Sequence, residues 1–252
     1  MDVTPFFVVL LLSTGLIAGV INTLAGGGSN LTLPALMMMG LPADIANATN
    51  RVGVLLQCLV GLRGFDKHDK LPRDDLGGIL VPTLLGGGLG ALAASFMPNL
   101  WLKPVLLVTM IGMALLILIR PATVAPPEGV SPSPVKGNRK AWLALFVAGI
   151  YGGFVQAGVG FILIAALAGS LRYDLVRTNA LKMLCTAAFT AIALGIFVWR
   201  DQVMWVPGLV LAVGTMTGAK LGVGLALKVS QNVLKWFLFA MTLCASAAAL
   251  WL

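Results

Sequence analysis

Residues 19–51 read GVINTLAGGGSNLTLPALMMMGLPADIANATNR, and the fold turns on the three glycines in their midst. An apolar run from Phe6 to Ala25, long enough to cross much of a bilayer, stops at Gly26, Gly27 and Gly28. It resumes from Leu31 for only about ten residues before Gly40 and Pro42. This pattern predicts a helix broken inside a membrane. Lipid cannot supply hydrogen-bond partners to broken backbone, so such breaks survive only where protein or a wet cavity surrounds them. Asn22, Thr23, Ser29, Asn30 and Thr32 crowd this one, and Asn47, Thr49, Asn50 and Arg51 follow on the next helix.

A second copy stands half a chain later. Residues 149–182 read GIYGGFVQAGVGFILIAALAGSLRYDLVRTNALK, with Gly158 and Gly160 placed about where Gly26 and Gly28 stand. Asp44 then matches Asp174, Thr49 and Asn50 match Thr178 and Asn179, and Leu102 with Lys103 matches Leu234 with Lys235. The spacing holds at about 130 residues, which marks an internal duplication. Interrupted segments at matching places in two halves of a chain point to a transporter's binding site.

Composition sets the class. With 59% apolar and 10% charged residues and a mean hydropathy of +0.98, the chain reads as a polytopic all-α membrane protein lying in a lipid bilayer. The net charge of +8 falls in short inter-helix loops, where it sets orientation, so no nucleic-acid partner is expected. No positive n-region precedes the first apolar run, which is therefore expected to be part of the fold. Cys58, Cys185 and Cys244 lie in apolar runs without ligand spacing, so no metal site is expected, and no cofactor motif is present.

In order, the first repeat spans residues 1–119, with full-length segments at 44–65, 76–97 and 101–119 after the broken pair. Residues 120–140, carrying five prolines, form a linker too polar and proline-rich to cross lipid. The second repeat, 141–252, has a broken pair at 141–157 and 161–171, then segments at 174–199, 203–227 and 232–252. Trp101, Trp142, Trp199, Trp205, Trp236 and Trp251 fall at or near segment ends, as interfacial aromatics do.

If each broken pair is a hairpin returning to its own side, each half makes three full crossings and the repeats are inverted. One side then collects Arg63, Lys67, Lys70, Arg73, Arg120, Lys136, Arg139, Lys140, Arg172, Arg177 and Lys228, while the other holds Lys103 and Arg200. The positive-inside rule puts the linker in the cytoplasm. Two parallel halves of four crossings each are the alternative.

Arg51 and Lys182 sit at nearly equivalent repeat positions, each seven or eight residues into its helix and so about 10–12 Å deep. Intramembrane cations are costly and mark function by default; the plainer alternative is that they snorkel to the interface. No Asp or Glu lies deep in any segment, so the pair suits a small anion rather than a salt bridge. The expected site is therefore Arg51 and Lys182 with Asn22, Gly27, Gly28, Ser29, Asn30, Thr49 and Asn50 from the first repeat. Gln156, Gly158, Gly160, Thr178 and Asn179 complete it from the second. Half-helix N-termini after the glycines would add positive dipole ends. Asp44 and Asp174 read more simply as helix N-caps. Lys220 has no basic counterpart in the first repeat and either lines the pathway or snorkels.

The glycine-rich break followed by LTLPALMMMGLP and ANATN, recurring weakly half a chain later, resembles the TauE/SafE family of sulfite and organosulfonate transporters. Members usually show Thr-Ser where this chain has Thr49-Asn50 and Thr178-Asn179, and the second repeat lacks the usual proline after its glycines. The resemblance implies export of a small sulfur oxyanion such as sulfite, sulfoacetate or a related organosulfonate. It also implies a homodimer in a bacterial inner membrane. No nucleophile or catalytic cluster is present to suggest an enzyme. An anion channel and a membrane subunit of a larger complex are the other readings.

Overall fold

The computed structural model of the chain describes residues 4–119 and 131–228, and the regular structure in them is helical. Helix α1 spans Pro5–Leu24, α2 Ser29–Met38, α3 Ala43–Asp66, α4 Leu76–Phe96 and α5 Asn99–Ile119. After the linker come α6 (Arg139–Phe154), α7 (Val159–Ile164) with a π-helical continuation at Ala165–Ser170, α8 (Leu175–Trp199) and α9 (Trp205–Lys228). Among these, α1, α3, α4, α8 and α9 are long and apolar enough to cross a membrane. The expected segment 232–252, with Trp236, Trp251 and Cys244, lies outside the described residues.

Both breaks have one backbone design. The amides of Ala25 and Gly26 both donate to Ile21 O, and the amides of Val155 and Gln156 both donate to Tyr151 O. The residue that turns the chain off the helix has positive φ in each, +99° at Gly26 and +65° at Gln156. This corrects the register read from the glycines. Gln156, not Gly158, is the counterpart of Gly26, because a left-handed turn and not the residue type defines the position. Gln156 adopts that strained conformation under restraint: its Nε2 donates to Thr190 Oγ1 (2.9 Å), and Tyr151 Oη donates to Ala157 O (2.6 Å).

Close packing sets the helix directions. Gly15 lies on Leu211 and Thr215 and Gly19 on Thr215 and Gly218, so α1 and α9 run parallel, with Gly214 and Gly218 returning the contact. Gly86 lies on Phe146 and Gly90 on Ile150, so α4 and α6 also run parallel. Gly53 meets Leu211 and Gly64 meets Val223, which makes α3 parallel to α9. Arg51 lies over the Phe197 ring while Gly61 packs on Met183, so α3 and α8 run in opposite directions. The principal packing pairs are exchanged between halves: α1 with α9 matches α6 with α4, and α3 with α9 matches α8 with α4.

Loops gather at two ends. At one end Ser133 N donates to Leu171 O (2.9 Å), Val135 N donates to Asp75 Oδ2, and a cavity of about 500 Å³ is lined by Asp66, Arg73 and Arg177. At the other, Asn99 Nδ2 donates to Asp44 Oδ1 (2.7 Å) and Met204 N donates to Thr49 Oγ1 (3.0 Å). Asp174 caps α8 through the amides of Val176 and Arg177, as expected. Asp44 does not cap α3: Pro42 holds that position, and the carboxylate is taken up by Asn99 and the Ile45 amide.

Candidate functional site

The two hairpin tips meet back to back. A Cβ on Gly26 would fall on the Gly160 Cα, and one on Gly160 would fall on the Gly26 Cα, so only glycine allows this crossing. Residues 25–30 and 155–160 are all buried. Gly27 faces the edge of the Phe161 ring, and Gly28 packs on Ala18 and Asn22 of its own hairpin. Asn22 itself is half-buried.

Each cation reaches across to the other half. Arg51, with 0% exposure, donates from Nη1 to Gly152 O and from Nη2 to Gly153 O (2.8 Å) and Phe154 O (3.2 Å), the last carbonyls of α6. Asn47 supports it, donating from Nδ2 to Phe154 O (2.9 Å) and accepting weakly from Nη2 (3.4 Å). Lys182, 2% exposed, donates from Nζ to Thr23 O in the last turn of α1 (3.0 Å) and to Asn179 Oδ1 (2.7 Å). Carbonyls at a helix C-terminus carry partial negative charge and no intrahelical partner, so a cation there satisfies both. Neither side chain snorkels to an interface.

The two cations sit at different levels of the α3–α8 pair. Arg51 is level with Phe197 and Gly61 with Met183, and ten residues of α3 separate those contacts. Arg51 and Lys182 therefore stand about 15 Å apart along the α3–α8 pair. The single level expected from inversion gives way to two, because each cation reaches the last turn of the opposite hairpin's first helix, on either side of the Gly26–Gly160 contact.

The N-terminus of α2 packs against Asn50, the residue before Arg51. Asn30 is 8% exposed, and neither of its amide atoms has a hydrogen-bond partner among the described residues. Beside it Thr32 Oγ1 donates to Asn50 Oδ1 (2.6 Å), and Asn50 Nδ2 donates to Ser29 Oγ (3.2 Å). The amides of Asn30 and Leu31 turn back to Gly27 O and Gly28 O, so the helix opens from the glycines directly. The second hairpin offers a left-handed Gly158 (φ +76°) and a helix of only six residues before the π turn.

Not every expected residue converges here. Thr49 Oγ1 is occupied by Met204 N and Thr178 Oγ1 by Tyr173 O (3.1 Å), both away from the tips. Lys220 lies on the exposed face of α9 with Thr217 and Leu221, outside the crossing. Gln57 went unread in the sequence, although it is a lone polar residue in the apolar part of α3 and stands seven residues after Asn50. It is buried, and among the described residues its Nε2 makes no well-formed hydrogen bond, lying beside the Cys58 thiol. Among the described residues the ion pairs are Arg73 with Asp66 and Arg177 with Asp174, on the loop surface, and no metal-binding cluster is found.

The model of the sulfite exporter TauE/SafE family matches residues 11–249. The chain belongs to the TauE/SafE family. It is 24% identical to a "Probable membrane transporter protein" of Haemophilus influenzae over 98% of this chain and 96% of that one. It is 26% identical to "Probable membrane transporter protein YfcA" of Escherichia coli K12 over 99% and 91%, and 28% identical to a "Probable membrane transporter protein" of Xylella fastidiosa over 87% and 85%. No solved structure matches significantly. As a TauE/SafE member with five apolar helices of spanning length, the chain is a multi-pass membrane transporter.

Proposed function

We propose that this transporter exports a small sulfur oxyanion, such as sulfite, sulfoacetate or a related organosulfonate, by alternating access between two inverted repeats. The observation that carries the reading is that, among the described residues, Arg51 and Lys182 pair with neutral acceptors alone: carbonyl oxygens and the amides of Asn47 and Asn179. Two buried guanidinium and ammonium groups without a carboxylate leave a positive potential in a low-dielectric core. A small anion is the natural guest for that potential. The family description supplies the sulfur chemistry, and the free amide of Asn30 at the N-terminus of α2 supplies neutral donors.

The opposite directions of α3 and α8, equivalent by sequence, support inversion of the halves. On this reading the buried tips belong to an occluded conformation. Arg51 and Lys182 each hold the far hairpin closed, and the anion competes with helix-end carbonyls for first one cation and then the other. The end bearing Lys67, Lys70, Arg73, Lys136, Arg139 and Arg177 is the cytoplasmic one. An inside-negative potential then favours outward anion flux without a coupled ion.

Thermal stabilisation of the purified protein by a panel of anions tests the reading, since binding raises stability by mass action. Sulfite and sulfoacetate should raise the melting temperature where chloride and neutral glycerol do not. Asn30→Asp, nearly isosteric but anionic, should abolish that rise. Equal response to every anion, or an undiminished response in Asn30→Asp, would refute the assignment.

A further inference from the structure

We infer that Gln57 is a third substrate contact, a neutral donor that passes the anion between the Arg51 level and the Lys182 level. The inference rests on the anion reading above and extends it to a residue outside the expected site. Gln57 is 1% exposed and, among the described residues, its Nε2 makes no well-formed hydrogen bond beyond its approach to the neighbouring Cys58 thiol, although α3 is closely packed on α8 and α9 around it. A buried amide hydrogen without a partner is costly, and a protein core that keeps one usually keeps it for a ligand or a water.

Its position is the informative part. Gln57 stands seven residues beyond Asn50, which returns it to nearly the same face of the helix. Asn50 donates to Ser29 at the start of α2, and Gly64, seven residues beyond Gln57, packs on Val223 of α9, so that face runs from the α2 tip onto α9. Along the axis, Gln57 is six residues past Arg51 and four before Gly61, which packs on Met183 next to Lys182. It therefore lies about 9 Å from the Arg51 level and about 6 Å from the Lys182 level. A gap of about 15 Å between two cations is too long for one small oxyanion to span. An intermediate donor without a charge of its own offers an anion a hold on the way without trapping it.

Two substitutions separate this role from packing. Gln57→Met keeps the volume and removes the orphaned donor; it should raise the melting temperature of the anion-free protein by about 2–4 °C. The same substitution should weaken sulfite binding about tenfold or more. Gln57→Glu should abolish sulfite-dependent stabilisation and sulfite efflux from proteoliposomes. Stability and affinity moving in opposite directions in Gln57→Met is the signature that a packing residue would not produce. Wild-type sulfite affinity in both variants would overturn the role of Gln57 while leaving the anion reading standing. Absence of any sulfite response in the wild-type protein would overturn the anion reading and this inference with it.

Discussion

Arg51 satisfies three consecutive carbonyls of α6, whereas Lys182 satisfies one carbonyl of α1 and one amide oxygen. The planar fork of a guanidinium can hold several acceptors in fixed geometry, and an ammonium cannot reproduce it. Each buried carbonyl left without a donor costs about 1–3 kcal/mol. Arg51→Ala should therefore lower the melting temperature by roughly 5–10 °C, and Lys182→Ala by about half as much, at the scale of 2–4 °C per kcal/mol. Arg51→Lys should recover only part of the loss. Differential scanning fluorimetry in detergent checks the order, and a Lys182→Ala loss exceeding that of Arg51→Ala would contradict it. Because both cations stabilise hairpins, loss of anion binding in these variants is meaningful only against each variant's own anion-free baseline.

At the scale of elements, the broken helices are held by backbone approach at glycine. The Gly26–Gly160 crossing and the α1–α9 seam use the same device, with no room for a side chain on either partner. Gly26→Ala adds a second penalty, since φ of +99° is unfavourable to any residue with a Cβ. It should abolish the folded monodisperse peak in size-exclusion chromatography. In α9, Gly218→Leu should do the same, because its Cβ would meet the backbone of Leu16 and Gly19. At Gly224, six residues on, a Cβ would meet no described atom within 4 Å, and Gly224→Leu should leave the elution profile unchanged. Similar behaviour of the two α9 variants would show that helix propensity, not seam packing, sets the requirement for glycine.

At the scale of the whole molecule, orientation follows from which end holds the basic loops. Lys70 and the linker residue Lys136 lie at the end that carries the Ser133–Leu171 and Val135–Asp75 contacts; Leu100 and Asp44 lie at the other. With a cysteine at position 100 (Leu100→Cys), a membrane-impermeant maleimide should label intact cells. With a cysteine at position 70 (Lys70→Cys), labelling should require lysis. The reverse pattern would invert the proposed topology and the direction of flux that depends on it.

The broken segments, their recurrence at about 130 residues and the pair of intramembrane cations were legible in the chain itself. Glycine triplets, apolar run lengths and a charge deep in an apolar run act locally, through backbone freedom and the cost of burying polar groups. The partners of those cations were not legible. Arg51 meets Gly152 and Lys182 meets Thr23, each more than a hundred residues away, and nothing in local periodicity encodes such pairs. The exact register of the second break was hidden for a related reason: Gln156 takes the left-handed position that glycine holds in the first half, held from α8 by Thr190 while Tyr151 of the same segment takes the Ala157 carbonyl. Gln57 looked like one polar residue in an apolar helix until its neighbours left its amide without a well-formed hydrogen bond. Sequence determined that two helices break and that two buried cations stand near the breaks. Only tertiary structure decided that each cation bonds to carbonyls of the opposite half, because the helix ends needing charge come from the other repeat.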